Sequence, residues 1–213
     1  MKKILSGIMI LIGTMLLFAA LFLVIFNVNE DKKGSETSKE RLEQLKNVII
    51  SREPATEESS ESHSQNSLFN EYEEETVPEE VLIEIDSDNY IGFISIPSLD
   101  IELPVMSEWS YPNLKLSPCR YKGTVAGGDL IIAAHNYRSH FGKIDQLNSG
   151  DPIFFTDGNG VQHEYELIQT ETIEGRNIEA MDFGSGDSWD LTLFTCTLGG
   201  QSRVTVRAVE IEN

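Results

Sequence analysis

The chain has 213 residues, which is enough for one domain of ordinary size with additional segments. Its formal net charge of −19, from 35 acidic and 16 basic residues, argues against nucleic acid as a partner, because phosphate neutralisation needs clustered Lys and Arg. Two cysteines are too few for a framework of disulfides.

The first 28 residues predict a transmembrane helix. A lysine pair at positions 2 and 3 precedes the stretch from Ile4 to Phe26, which carries no charge, and about 20 apolar residues suffice to cross a bilayer. The lysines favour a cytoplasmic N-terminus, although a second pair just beyond the stretch weakens this asymmetry. A cleaved signal peptide is the alternative, but its apolar region usually spans only about 7–15 residues. We therefore expect residues 1–28 to be an uncleaved signal-anchor of a single-pass protein of the cell membrane, with the remainder extracellular.

Residues 29–82 are predicted to be an acidic extracellular linker. Within it, the segment SKERLEQLKNVII places Leu42, Leu45 and Ile49 at helical intervals, so a short amphipathic helix can form there. Residues 51–80 are polar and acidic, and such a stretch cannot bury enough surface to offset its ordering entropy. We interpret residues 51–80 as a solvated spacer; an acidic arm that docks a partner is the alternative.

Residues 83–213 are predicted to form an all-β domain. Short apolar runs alternate with turn residues: YIGFISIP and IELPVM flank SLD, DGNG joins DPIFFTD to VQHEYELIQTETI, and a glycine turn joins WDLTLFTC to SRVTVRAVEI. The Asp, Gly and Asn of DGNG suit the positive φ angles of a hairpin turn. With LIIAAH, the pattern indicates a closed or partly closed β-barrel of about eight strands with short helical connections. RSHFGKIDQL, residues 138–147, is the one plausible helix inside the domain.

The final hairpin places two arginines at different distances from one cysteine. If Leu193 and Val206 both face the core, the register places Cys196 opposite Arg203. Opposed residues share a face, with Cβ atoms roughly 4.5–5.5 Å apart. Arg207 shares that face but lies about 13 Å further along at ~3.3 Å per residue, out of reach of the thiol. A register slip of one residue would reverse every face.

Cys196 is the candidate nucleophile, because it ends an apolar strand where a side chain can reach the rim of a sheet. A thiol reacts as thiolate and needs a base or a positive field to form it. His135 is the candidate base, since it ends the run LIIAAH and begins a loop, and Arg203 is the candidate cation. The alternatives are an inert strand-end cysteine, or a disulfide between Cys119 and Cys196 in the oxidising exterior, which would silence the nucleophile.

The other three histidines are weaker candidates. His63 lies in the spacer, and His163 shares a strand face with apolar residues, where a structural role is favoured. His140 lies in the loop after His135, and the two could begin a metal site, but no third ligand follows at a suitable spacing. We therefore expect neither a metal nor a cofactor.

Two segments resemble the sortases, the cysteine transpeptidases of Gram-positive surfaces. TLFTC, from Thr192 to Cys196, is similar to the TLxTC motif of that family, and an arginine follows in the next strand. IIAAHNYRSHFGKIDQL resembles the segment in which a strand of the family delivers the catalytic histidine into a loop. The order His135, Cys196, Arg203, on a β-barrel behind a membrane anchor, agrees as well. The resemblance covers the chain from Tyr90 to the C-terminus.

The resemblance implies a fold, an activity and three catalytic roles. The fold is a sortase-type β-barrel, and the activity is that of an extracellular thiol protease and transpeptidase that anchors surface proteins. Cys196 would attack the threonine carbonyl of an LPxTG-like sorting signal and form a thioester. His135 would protonate the departing amine and then deprotonate the incoming amine of a peptidoglycan precursor or a pilin lysine. Arg203 would donate hydrogen bonds to the oxyanion or hold the substrate backbone.

The sortase subclass and the alternatives to a sortase stay open. The connection from Cys196 to Arg203 is short, and the absence of a second apolar span favours cell-wall anchoring over pilin polymerisation. An L,D-transpeptidase is expected to carry arginine two positions after its cysteine, and a papain-like protease places cysteine before histidine; neither pattern occurs here. A non-catalytic β-barrel that binds peptides would keep the fold without needing all three candidate residues.

Overall fold

A computed structural model of the protein describes residues 2–51, 80–177, 180 and 188–211. In chain order, the helices and strands described there are α1 (Lys2–Ser51), β1 (Ile83–Ile85), β2 (Asp88–Ile96), β3 (Ile101–Met106), α2 (Tyr111–Leu116), β4 (Cys119–Lys122), β5 (Leu130–Ala134), β6 (Pro152–Asp157), β7 (Gln162–Glu174), β8 (Leu191–Cys196) and β9 (Ser202–Glu210). Two 3-10 turns, Pro97–Leu99 and Ile144–Gln146, connect strands.

The strands form one sheet that closes on itself. Their order is β1-β2-β3-β4-β5-β8-β9-β7-β6, and β2 also pairs with β6, so β2 to β9 make a closed barrel with β1 at its margin. The β5–β8 pair is parallel, and β3 meets β4 in parallel through a single residue pair. Closure pairs the edges that an open sheet would expose. The predicted all-β barrel of about eight strands with short helical connections is therefore confirmed.

The turn between β6 and β7 shows how local sequence fixes a strand connection. The Oδ1 of Asp157 accepts hydrogen bonds from the backbone N–H groups of Asn159 and Val161, each 2.9 Å long. Gly160 has φ +84°, a left-handed conformation that glycine adopts readily because it lacks a Cβ. The positive φ expected for DGNG is therefore found at Gly160 but not at Asp157 or Asn159.

Residues 138–147 differ from the helix expected there. They form turns that end in the second 3-10 turn. Phe141 and Ile144 are fully buried in the barrel core, and the backbone N–H of Ile144 donates to the carbonyl of Phe141, the i to i+3 bond of a tight turn. The backbone N–H of Phe141 donates to the carbonyl of His135, so the loop folds back onto the end of β5. Packing of the two apolar side chains therefore overrides the helical pattern.

Apolar side chains pack on both faces of the barrel wall. The cluster inside the barrel includes Ile132 and Leu193. A second cluster, which we call the outer cluster, lies on the opposite face and contains Leu45 of α1 together with Ala133 and Phe194. Consecutive residues of β5 and β8 thus fall in opposite clusters, as the alternation of a strand requires.

Helix α1 divides into an exposed half and a docked half. The side chains of residues 7–29 are exposed, and this part of α1 is long and apolar enough to cross a membrane. From residue 30 onward α1 packs against β1, β3 and α2. Lys46 Nζ lies 2.5 Å from Glu102 Oε2, and Leu45 is completely buried. The segment with the short helical pattern lies in this docked half, whereas residues 52–79 of the expected spacer lie outside the described residues.

Truncation of Leu45 should weaken the docking of α1. Because Leu45 is fully buried, Leu45→Ala should cost about 2–4 kcal/mol of stability through lost burial and the cavity left behind. Ile50→Ala is the matched control, since Ile50 is 76% exposed on the same helix; it should change stability by less than about 0.5 kcal/mol. Chemical unfolding of the full chain in detergent compares the two, and equal midpoints would contradict the docking.

Candidate active site

Three neighbouring strands bring the three predicted residues together. In the parallel pair, Ala134 of β5 is the partner of Thr195 of β8. The next residues along, His135 and Cys196, are therefore adjacent at the strand spacing of about 4.8 Å. In the antiparallel pair of β8 with β9, Cys196 is opposite Arg203. The register predicted for the final hairpin is confirmed.

The three residues share the outer face of the barrel wall. Ala133 and Phe194, two positions before His135 and Cys196, belong to the outer cluster, and side chains two apart on a strand point to the same side. Arg203 shares that side as the directly opposed partner of Cys196. Helix α1 packs on the same side, because its Leu45 belongs to that cluster.

Cys196 lies at the wall of a cavity. Its thiol is free and partly exposed, and the cavity has a volume of about 640 Å³. The Oγ1 of Thr195 donates a 2.9 Å hydrogen bond to the carbonyl of Ala134, which ties the ends of β5 and β8 together beside the thiol. The wall is completed by parts of α1, of the β5–β6 loop and of the β8–β9 loop, among them Asn27, Val28, Asp31, Arg138, Asp145 and Leu198.

His135 is held by an aromatic neighbour. Its ring stacks on that of Tyr137, with centroids 4.6 Å apart and ring planes 19° apart. Burial, and then the positive charge of Lys115, lowers the pKa of His135 below its ordinary value of 6.5. The imidazole is therefore neutral at neutral pH and can accept a proton. Sequence reasoning missed Tyr137, although an aromatic residue two positions after the candidate histidine was an available signal.

Gly34 allows α1 to approach this pair of rings. A Cβ at position 34 would lie 3.0 Å from the carbonyl oxygen of Lys115 and 3.4 Å from the ring of Tyr137. The absence of a side chain lets the helix backbone lie against Tyr137, which in turn stacks on His135. Packing thus connects α1 with the candidate base.

Two polar contacts join α1 to the β5–β6 loop. His140 is 0% exposed, and its Nε2 lies 3.3 Å from the Oγ of Ser38, which also donates to the carbonyl of Leu116 at 2.6 Å. Asp31 accepts hydrogen bonds from the backbone N–H and the hydroxyl of Ser139. These contacts join residues that are far apart in the chain, so no local pattern could have predicted them. The loop that carries the residues after His135 is therefore braced by α1.

Acid should weaken the protein through His140. Burial is the main cause that lowers the pKa of His140 from 6.5 to about 4; nearby His135 lowers it further and Asp31 opposes the shift. Between about pH 4 and pH 6.5 the unfolded chain binds a proton at His140 more readily than the folded chain does. The contribution of the neutral ring to folding stability is therefore complete above about pH 6.5 and is lost as the pH falls to about 4. The full loss is about 3 kcal/mol. His140→Gln should remove this part of the pH dependence. Unfolding free energies of the full chain at about pH 7.5 and 4.5 test it, and identical pH slopes for both proteins would contradict the assignment.

The guanidinium of Arg203 contacts the glycine turn that precedes it. Its Nη1 donates to the carbonyl oxygens of Gly200 and Ser202, both at 3.1 Å. The backbone pairing therefore places Arg203 opposite Cys196, while the charged group is engaged by two neutral carbonyls of its own turn.

Arg207 is a buried structural residue. It is 1% exposed, and its Nη1 donates to the hydroxyl of Thr192 at 2.8 Å. Its Nε donates to Glu171 at 3.1 Å, its Nη2 donates to the carbonyl of Ala180 at 2.6 Å, and its guanidinium lies 4.6 Å from the ring centre of Trp189. The pairing with Thr192 also confirms that Arg207 lies further along the sheet than the thiol. Its role is to connect β7 with β8.

Removal of Arg207 should destabilise the fold. Arg207→Ala leaves the buried hydroxyl of Thr192 and the carboxylate of Glu171 without their donor, at a cost of roughly 3 kcal/mol. The melting temperature should fall by roughly 6–12 °C. Arg203→Ala, the control on the same strand, loses only bonds to its own turn and should cost about 1 kcal/mol or less. Thermal unfolding of the full chain in detergent measures both, and an equal fall for the control would refute this distinction.

Cys119 and His163 have surroundings typical of structural residues. Cys119 is 0% exposed at the start of β4, and burial raises the pKa of its thiol to about 12. Both cysteines are free in the structure, so the alternative of a Cys119–Cys196 disulfide is not realised there. The Nδ1 of His163 lies 2.8 Å from the Oε1 of Glu210. Within the described ranges, no three His, Cys, Asp or Glu side chains are grouped so that they could hold a metal ion.

Comparison with known proteins points to one family. A family model described as Sortase domain matches residues 94–211. Sortase A of Listeria monocytogenes is 30% identical over 116 residues, which are 52% of this chain and 51% of that protein. Sortase A of Bacillus anthracis is 32% identical over 117 residues, which are 53% of this chain and 54% of that protein. The chain thus spans about half the length of these curated relatives.

Solved structures agree with the fold. Sortase C from Clostridium perfringens SM101 aligns with a TM-score of 0.51 and 27% identity, over 58% of this chain and 71% of that one. Sortase C1 from Streptococcus agalactiae aligns with a TM-score of 0.53 and 28% identity, over 61% of this chain and 72% of that one. Since the matched domain covers more than half of the sequence and contains β5, β8 and β9, the chain belongs to the sortase family. The catalytic roles of His135, Cys196 and Arg203 remain predictions.

Proposed function

We propose that the protein is a membrane-anchored, extracellular cysteine transpeptidase. It cleaves an LPxTG-like sorting signal through a thioester on Cys196 and transfers the acyl group to an amine of the cell wall. The observation that carries this proposal is the position of His135, Cys196 and Arg203 at the ends of three neighbouring strands, inside the region that matches the sortase domain.

The exposed half of α1 supplies the membrane anchor. It is long and apolar enough to span a bilayer once, and the side chains of residues 7–26 are exposed. The lysine pair at positions 2 and 3 keeps the N-terminus in the cytoplasm, and the barrel is then extracellular.

The reaction consists of two acyl transfers with one proton carrier. The neutral ring of His135 accepts the thiol proton of Cys196, and the thiolate attacks the carbonyl carbon of the scissile peptide bond. As the carbon–nitrogen bond breaks, His135 gives that proton to the departing amine, and the acyl group stays on sulfur as a thioester. The incoming amine attacks the thioester and loses a proton to His135, which returns it to the sulfur as the new amide leaves.

Arg203 stabilises the negative charge that develops on the carbonyl oxygen in both transfers. Its Cβ is roughly 4.5–5.5 Å from that of Cys196 across the ladder. Its present acceptors, the carbonyls of Gly200 and Ser202, are neutral, and a charged oxyanion is the stronger acceptor. The planar fork of the guanidinium also suits a substrate backbone carbonyl.

The cavity beside Cys196 has the size and lining expected for a peptide site. Its volume of about 640 Å³ lies within the usual range of roughly 300–1,000 Å³ for ligand sites. Val28 and Val204 contribute apolar surface, while Arg138 and Asp145 contribute polar groups at the wall. An extended peptide can therefore bury apolar side chains there while its backbone meets polar partners.

Cys196 should be essential for turnover and Cys119 should not. Cys196→Ala removes the atom that forms the thioester and should abolish cleavage of a fluorogenic LPxTG-like peptide by the full chain in detergent. Cys119→Ala should keep most of the activity, because Cys119 is buried in the outer cluster and serves packing. Mass spectrometry should also find a peptide vinyl sulfone attached to Cys196, with attachment slowed by His135→Ala. Peptide binding without an adduct or turnover would instead support a peptide-binding barrel.

Arg203→Ala should lower kcat by ~10²–10³, the usual effect of removing an oxyanion donor. Arg203→Lys should recover little, because one ammonium cannot reproduce the guanidinium fork. Arg176→Ala is the matched control, since this exposed arginine lines the same small surface cavity as Arg203; it should cost less than about tenfold. Steady-state kinetics on one peptide settle the comparison, and an inactive Arg176→Ala beside an active Arg203→Ala would refute the assignment.

The amine acceptor distinguishes cell-wall anchoring from pilin polymerisation. The full chain would be offered an LPxTG-like donor peptide with two competing acceptors, a peptidoglycan stem peptide with a free amine and a peptide with an internal lysine. Mass spectrometry of the products identifies the acceptor used. A predominant stem-peptide adduct supports cell-wall anchoring, and a predominant lysine adduct supports pilin polymerisation.

A further inference from the structure

The β8–β9 loop exposes one apolar side chain completely. Leu198 is 99% exposed, more than any other large apolar residue reported for the described part of the chain, including those in the exposed half of α1. The loop itself is an ordered turn, because Gly200 N–H donates to the carbonyl of Thr197 and Gly200 has φ +67°. A defined turn therefore presents Leu198 to its surroundings.

Leu198 lies close to the end of the apolar part of α1. It lines the same cavity as Asn27 and Val28, the two residues that follow the apolar run ending at Phe26. Asp31, also in that wall, is only about 6 Å further along the helix axis at 1.5 Å per residue. The cavity and Leu198 therefore lie beside residues 27–31 of α1, about one and a half turns that directly follow the apolar run.

The position of α1 relative to the cavity is set by its docked half. Asp31 accepts hydrogen bonds from Ser139, and Ser38 lies 3.3 Å from the buried ring of His140. Because α1 is one continuous helix from Lys2 to Ser51, these contacts also fix the direction in which its apolar half leaves the barrel.

The charges at this level suit a lipid surface. The chain carries a net charge of −19, yet Lys32, Lys33 and Arg138 are exposed around the end of the apolar run. Of the acidic groups there, Asp31 is engaged by Ser139, Glu30 lies 3.9 Å from Lys33, and Asp145 in the cavity wall is exposed. An apolar tip flanked by basic side chains is the composition of surfaces that bind the headgroup layer of a membrane.

We propose that the β8–β9 loop inserts Leu198 into the headgroup layer of the membrane crossed by α1, so that the cavity beside Cys196 opens at the bilayer surface. This inference rests on the membrane anchor of the proposed function. With Ile4 to Phe26 in the hydrocarbon core, about 30 Å thick, Asn27 and Val28 lie at the boundary and Leu198 lies beside them. A peptide bound at Cys196 is then received at the lipid surface.

The depth of Leu198 can be measured with an environment-sensitive label. In a Cys196→Ala background, Leu198→Cys and Val161→Cys would each be labelled with a nitrobenzoxadiazole group; Cys119 is fully buried. Val161 is a matched control, being 53% exposed and next to Gly160, whose position adjoins Ile49 of α1. Ile49 lies about 31 Å along the helix from Val28.

The labelled full chain would be placed in vesicles of phosphatidylcholine and phosphatidylglycerol. The label at position 198 should gain several-fold in intensity, shift to the blue and be quenched by lipids with headgroup nitroxides. The label at position 161 should behave as it does in water. A label at position 198 that aqueous iodide quenches as readily as the control overturns the inference.

An insertion tests whether α1 sets this depth. Seven helix-forming polar residues between Phe26 and Asn27 would raise the barrel by about 10.5 Å with little rotation, and leave every contact of the docked half in place. The label at position 198 should then return to water, and a label that stays in lipid overturns the inference. Peptide turnover by the unlabelled wild-type chain is measured separately. If the wild-type chain turns over the peptide but the label at position 198 lies in water, only this inference is refuted. If the label lies in lipid but the wild-type chain shows no turnover, only the proposed transpeptidase is refuted.

Discussion

The candidate active site depends on the parallel pairing of β5 with β8. The two strands are joined through Ala134 and Thr195, whose positions differ by 61 in the chain, and the next residue of each strand is a candidate catalytic residue. Parallel strands need a long crossover, and here β6 and β7 fill it while they close the barrel. A shift of one residue in this pair would send His135 or Cys196 to the other face of the wall. Barrel closure therefore protects the register on which the proposed chemistry relies.

Helix α1 is the second element that shapes the site. A helix that only anchored the domain would need no particular contact with the barrel. Here α1 contributes Leu45 to the outer cluster, approaches Tyr137 through Gly34, and lines the cavity beside Cys196 with Asn27. The same helix thus connects the apolar stretch that is long enough to cross a membrane, the packing of the outer face and the wall of the proposed peptide site.

Buried polar side chains support this arrangement on both sides of the candidate residues. Arg207 joins β7 to β8 below the thiol, and His140 joins α1 to the loop beyond His135. Burying such groups is costly unless they find partners, so each one specifies where its partner must lie. At His140 the buried contact with α1 requires the neutral ring, so the docking of α1 depends on pH.

The amino-acid sequence by itself determined the barrel class, the final hairpin register and the three candidate residues. Alternation of apolar and polar residues and turn chemistry are local signals, and they carry this information without knowledge of the fold. Only the tertiary structure decided that residues 138–147 form turns, that His140 is buried beneath Ser38, and that Arg207 is structural. It also placed Leu198 beside the end of the apolar helix. These features depend on contacts between residues far apart in the chain, and packing across such distances leaves no periodic pattern to read.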